Sequence, residues 1–202
     1  MIGRVLLGTV VVAALLAAVG YRLTTTPGND PGRSTLQPLV AAAALDPCFG
    51  PLVRTTDGGS LPDITLPDTT LPCLDGSGRH ALVGAPAAVP TLLNVYASWC
   101  QPCAAEMPLL RQFYDQARGR VRMIGVDTAD DPQQALLFAR DLNQRWPSLR
   151  DDDGLVNRVL GGGPPKTVLI SADGRVVHVQ RGAYSSLDAL LADVRTYLGL
   201  TL

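Results

Sequence analysis

Thr91-Leu92-Leu93-Asn94-Val95-Tyr96-Ala97-Ser98-Trp99-Cys100-Gln101-Pro102-Cys103-Ala104-Ala105-Glu106-Met107-Pro108 is the stretch that decides the fold. Its first seven residues are rich in apolar and β-favouring types, which predicts a buried central strand. Pro102 follows at a position suited to the first turn of a helix, because a proline there gives up an N–H that would have no partner anyway. The helix is expected to run to about residue 118, with a kink at Pro108. The strand therefore delivers Cys100 to a helix N-terminus. Unpaired backbone N–H groups and the helix dipole stabilise a thiolate there, and thiolate is the attacking species in disulfide exchange. Cys103 lies one turn further on, facing the core, within reach of Cys100. Glu106 shares the Cys103 face, and Met107, Leu110 and Tyr114 extend it. A carboxyl on that buried stripe holds its proton more tightly than usual, so Glu106 is a candidate to exchange a proton with Cys103.

Outward from this segment the elements alternate. Residues 121–126 read as a second buried strand. Asp131-Pro132 caps and opens a helix to about residue 142. A short helix near residues 155–160 ends at Gly161-Gly162-Gly163. Residues 167–171 and 175–181 read as strands joined tightly through Ala172-Asp173-Gly174. An amphipathic helix closes the chain, with Leu187, Leu190, Leu191, Val194 and Leu198 on one face. The order β-α-β-α, hairpin, α predicts an α/β fold with a mixed central sheet flanked by helices. Upstream, residues 57–71 read as loops with an edge strand, and residues 37–45 as a short Ala-rich helix.

The N-terminus reads as an address. Residues 5–21 are almost continuously apolar between Arg4 and Arg22, close to the length that spans a bilayer. Residues 1–22 are read as a membrane anchor or a signal sequence, with the uncleaved anchor preferred because no clear cleavage site follows. Residues 23–45, opening with a Thr-, Pro- and Gly-rich run, are read as a flexible linker. Residues 46–202 are read as the exported domain, on the extracytoplasmic face of the membrane, or secreted if the helix is cleaved. In 202 residues the net charge is −1, and no charge excess or motif points to nucleic acid.

The other cysteines, Cys48 and Cys73, stand alone upstream. An even cysteine count behind an export signal suits an oxidising compartment, and a structural Cys48–Cys73 disulfide is expected, with two independent thiols as the alternative. Cys48 and Cys73 are too far apart to complete a zinc site with the Cys100-Cys103 pair. His80, in a loop-like stretch, and His178 have no partners at metal or catalytic spacing. Asp151-Asp152-Asp153-Gly154 lacks the later ligands of a calcium loop and reads as a solvated turn. No metal and no cofactor is expected.

The motif Asn94-x-x-Ala97-x-Trp99-Cys100-x-Pro102-Cys103-x-x-Glu106-x-Pro108 resembles the TlpA/ResA branch of the thioredoxin superfamily, within the wider AhpC/TSA-redoxin-like group. General thioredoxins usually carry a buried Asp where Asn94 stands. A second match, Gly163-Pro164-Pro165-Lys166-Thr167, resembles the family segment whose proline is cis and packs against the cysteines. The resemblance implies a thioredoxin-like fold, catalytic roles for Cys100, Cys103, Glu106 and Pro165, and substrate contacts from Trp99, Pro102 and Pro164. Trp99 and Tyr96 would wall the site. One departure matters. The residue before the cis-proline usually offers its backbone N–H to substrate, and Pro164 has none. The resemblance implies a membrane-tethered thiol–disulfide oxidoreductase. It would reduce disulfides in exported proteins, cytochrome c maturation being one such process, and take electrons from a membrane carrier. An oxidase donating disulfides to secreted proteins uses the same cysteines at a different potential. A redox-inactive binding module is the reading of another class, and the intact cysteine pair argues against it. A peroxidase lacks its Thr-x-x-Cys signature.

Overall fold

The computed structural model describes residues 31–52, 64, 66–84 and 88–202, with side chains from residue 35 onward. The apolar run at residues 5–21, and with it the membrane anchor or signal, lies outside the described residues, as does most of the loop region 57–71. Among the described residues no helix is long and apolar enough to cross a membrane. The chain divides into two units, residues 1–37 and 38–202. The boundary falls inside helix α1 (Pro31–Ala43). This helix starts at Pro31 rather than Gln37, since a proline is tolerated in a first turn and the polar residues around it hid that start. In the second unit the chain just beyond the helix is pinned where Asp46 N–H donates to Arg145 O at 2.7 Å.

Five strands form the central sheet in the order β5 (Ser148–Asp151), β4 (Arg122–Thr128), β3 (Thr91–Tyr96), β6 (Lys166–Ile170), β7 (Val176–Arg181). β3 pairs parallel with β4 and antiparallel with β6, and β4 pairs parallel with β5. The sheet is mixed, with β3 at its centre, as the sequence predicts. A separate hairpin pairs β1 (Thr70–Pro72) with β2 (Arg79–Ala81), and His80 sits in β2 rather than in a loop.

Strand alternation divides the core. Leu92, Tyr96, Met123 and Leu169 point to one face. There they meet α2 (Gln101–Ala117), α3 (Pro132–Asp141) and α5 (Leu187–Leu198). Leu93, Val95, Ile124, Val126, Val168 and Ile170 point to the other, beside Val156 and Leu160 of α4 (Leu155–Leu160). Gly125 is required by this packing: a Cβ there would collide with Tyr96 and Ser148, whose hydroxyls bond at 3.1 Å in the sheet interior. α3 opens as the sequence predicts, Asp131 accepting from the N–H groups of Gln133 and Gln134 at 2.9 and 3.1 Å.

β5 and Asp151 depart from expectation. The short edge strand β5 went unread because three aspartates follow its apolar residue Leu149. Asp151 is not a solvated turn residue. It is 1% exposed, and its Oδ2 accepts from Thr128 Oγ1 and from the N–H groups of Val156 and Asn157. It caps α4, whose own N-cap residue, Gly154, has no side chain to do so.

Candidate functional site

Every piece of the site lies at the C-terminal end of β3. After Tyr96 the chain makes a tight turn, closed by Cys100 N–H donating to Ala97 O at 3.1 Å. Ser98 is fixed by Asp130, which accepts from its N–H at 2.5 Å and its hydroxyl at 2.9 Å. The Trp99 ring is 60% exposed, yet its indole N–H is tied to Ala129 O at 3.2 Å. An anchored aromatic face thus stands beside the cysteines.

Cys100 is the N-cap of α2, and its sulfur accepts from Cys103 N–H at 3.2 Å. That bond and the helix dipole both favour negative charge on the Cys100 sulfur. Cys100 and Cys103 are joined as a disulfide, with Cα atoms 5.2 Å apart. Gln101 and Pro102 are exposed above it. α2 continues through Pro108 without interruption, burying Cys103, Glu106, Met107, Leu110, Phe113 and Ala117 on one stripe. Tyr114, expected on that stripe, is only half-buried, and Phe113 takes the place instead.

Glu106 is 2% exposed. Its Oε1 accepts from Tyr184 N–H at 2.7 Å, while its Oε2 has no partner among the described residues. Burial pushes its carboxyl up to about 7, against the opposing pull of the Tyr184 bond. Such a group takes up and gives back a proton near neutral pH. Asn94 sits on the same sheet face as Leu92 and Tyr96, 1% exposed and with neither side-chain polar atom bonded. Its amide does not titrate, so of the two buried polar side chains Glu106 is the one that can exchange a proton.

The Pro164–Pro165 peptide is cis. The register Val95↔Lys166 brings Pro165 to the level of Tyr96, at the same end of the sheet as Cys100. Pro165 O accepts from Gly182 N–H at 3.0 Å. Lys166, the only lysine in the chain, is fully buried. Its ammonium donates to Gly162 O at 2.9 Å and to the Asn157 side chain, so it clamps the glycine loop that leads into the two prolines. Pro164 is half-buried and Pro165 buried.

Two further groups were not read from sequence. Asp127, at the end of β4 opposite Tyr96, is 3% exposed. Burial first, and then the neighbouring Asp130 carboxylate, push it up to about 9, so it is a neutral acid at pH 7. In the sequence it stands just past the apolar run 121–126, where an aspartate reads as the start of a loop. Tyr184, which holds Glu106, gives no signal at all.

Cys48 and Cys73 lie apart from this site. They are joined as a disulfide, Cα atoms 6.2 Å apart, and Cys73 bridges to Leu149 on β5, two strands from β3. Among the described residues, the group of side chains close enough to share a metal ion is Cys48, Cys73 and Asp75, and both sulfurs there are already bonded to each other.

The Redoxin family profile matches residues 57–194. Over 95 residues the chain is 37% identical to the thiol:disulfide interchange protein DsbE of Escherichia coli, covering 46% of this chain and 50% of DsbE. The chain thus spans about half the length of such relatives. The thiol-disulfide oxidoreductase ResA of Geobacillus thermodenitrificans is 25% identical over 188 residues, 92% of this chain and 91% of ResA. Among solved structures, a secreted Mycobacterium tuberculosis disulfide oxidoreductase homologous to DsbE superposes with a TM-score of 0.55 at 25% identity, over 64% of this chain and 96% of that one. The architecture is thioredoxin-like.

Proposed function

The chain belongs to the Redoxin family, and on that footing we propose that it is an extracytoplasmic thiol–disulfide oxidoreductase that reduces disulfides in exported proteins. The observation that carries this is the Cys100–Cys103 disulfide at the N-terminus of α2, with the buried carboxyl of Glu106 one turn further along. In the reduced protein the Cys100 thiolate attacks a substrate disulfide. A mixed disulfide forms and one substrate sulfur leaves as a thiolate. Cys103 then attacks the Cys100 sulfur, expels the second substrate sulfur and leaves the Cys100–Cys103 disulfide. Two electrons pass from the Cys100/Cys103 dithiol to the substrate as the pair becomes a disulfide, and the pair itself is the electron carrier. Glu106 takes the Cys103 proton as that thiol becomes a nucleophile, which its affinity near neutral pH suits.

Trp99, Pro102 and Pro164 form the surface on which substrate docks, and Pro165 closes it against the cysteines. A dithiol donor in the membrane returns the pair to its reduced state. The resemblance to the TlpA/ResA branch makes cytochrome c maturation one process this reaction serves. Residues 1–22 anchor or export the chain, residues 23–45 link, and residues 46–202 form the working domain. The Cys48–Cys73 disulfide is structural. Insulin reduction by the reduced protein tests the chemistry. Turnover is expected, with loss of at least a hundredfold in Cys100→Ser. Wild-type protein that leaves insulin intact contradicts the proposal.

A further inference from the structure

Residues 182–186 cross from β7 to α5 and touch both halves of the site. Gly182 N–H donates to Pro165 O at 3.0 Å, and two residues later Tyr184 N–H donates to Glu106 Oε1 at 2.7 Å. Ser186 then caps α5 through the Ala189 N–H at 3.2 Å. The strap is held by the Tyr184 side chain, which is 7% exposed. Its hydroxyl donates to Asp193 Oδ2 on α5 at 2.8 Å. That same carboxylate oxygen lies 3.2 Å from His178 Nε2 on β7, and the His178 ring stacks on Tyr197 with centroids 4.2 Å apart. A chain of contacts thus runs from the partly exposed pair His178 and Asp193 to the buried acid beside Cys103.

We propose that Tyr184 is a positioning residue for the oxidoreductase site: tethered through its phenol to Asp193, it holds its backbone N–H against Glu106. The inference rests on the proton-exchange reading of Glu106. A hydrogen bond donated to a carboxylate favours its ionised form, and it is the single bond Glu106 receives among the described residues. The Gly182 and Ser186 bonds fix the two ends of the strap, and the Tyr184 phenol fixes its middle, where the N–H meets Glu106. Release of the phenol lets the strap drift, and Glu106 is left buried without its donor. Its proton is then held more tightly, and less of it is ionised at neutral pH. The titratable groups around the strap are Glu106 on α2, Asp193 and Tyr197 on α5, and His178 on β7.

The test is a 13C carboxyl NMR titration of the oxidised full chain, which reads Glu106 without turnover. In wild type the Glu106 midpoint is expected near 7. Tyr184→Phe and Asp193→Ala are expected to raise it by about half a unit or more, a roughly threefold gain in proton affinity. Asp193→Asn keeps an acceptor for the phenol but loses the charge beside His178, and is expected to restore the wild-type midpoint. Midpoints within about 0.2 of wild type in both Tyr184→Phe and Asp193→Ala overturn the proposal. Tyr184→Phe alone decides it if Asp193→Ala fails to fold. Failure of the oxidoreductase reading is separate: wild-type protein would then leave insulin intact whatever the midpoints do.

Discussion

The chemistry of single residues here is set by what each is denied. Glu106 is denied water, and burial lifts its proton affinity to neutral pH. The rate of insulin reduction is therefore expected to show an inflection near pH 7 that Glu106→Gln abolishes. Glutamine keeps the oxygen that accepts from Tyr184, so packing is preserved. An unchanged profile in that variant removes Glu106 from the reaction. Pro164 is denied a backbone N–H. Pro164→Thr restores a donor to substrate, and one hydrogen bond of about 1 kcal/mol is about a fivefold drop in KM with kcat little changed. Steady-state kinetics on a peptide disulfide checks this. At this scale the sequence disclosed residues that follow a helical or strand period. Cys100 follows from the strand before it and Pro102 after it, and Glu106 from its helical spacing to Cys103 along α2. Tyr184 and the raised carboxyl of Asp127 depend on burial and contacts between elements, which no local period encodes.

Among the elements, those with strong local signals were legible. β3, α2, α3 and the hairpin of β6 and β7 stand where apolar period, caps and turn residues put them. β5 was not legible, being four residues long and closed by a run of three aspartates of which the first, Asp151, is buried against α4 while Asp152 and Asp153 are exposed. Asp151 joins the two: it bonds Thr128 of β4 and two N–H groups at the start of α4. Asp151→Ala leaves those donors unpaired in the interior. The expected loss is about 2 kcal/mol in urea denaturation. A change below about 0.5 kcal/mol would mean the cap contributes nothing. α4 leads into the Lys166 clamp, so this variant is also expected to weaken the glycine loop before Pro164.

For the whole molecule, the Cys48–Cys73 disulfide ties the entry segment to the β5 edge, closing 25 residues of sequence separation. Its removal in Cys48→Ala/Cys73→Ala is expected to cost about 3 kcal/mol while insulin reduction is retained. Loss of activity at full stability would instead give this pair a redox role. Stability also carries the mark of the buried acids. Glu106 and Asp127 bind protons more tightly folded than unfolded, so the folded state holds more protons as pH rises above about 4.5. The stability these two groups contribute is fully present at acid pH and is lost as pH climbs through about 7 for Glu106 and about 9 for Asp127. From pH 5 to 8, Glu106→Gln is expected to lose about 2 kcal/mol less than wild type. The central claim, that Cys100 attacks disulfides of exported proteins and Cys103 releases them, is tested most directly by trapping. The full chain carrying Cys103→Ser is expressed in its own envelope and run on non-reducing gels. Mixed disulfides between Cys100 and envelope proteins are expected, and they vanish on reduction and in Cys100→Ser/Cys103→Ser. The absence of any such adduct, with the variant folded and exported, contradicts it.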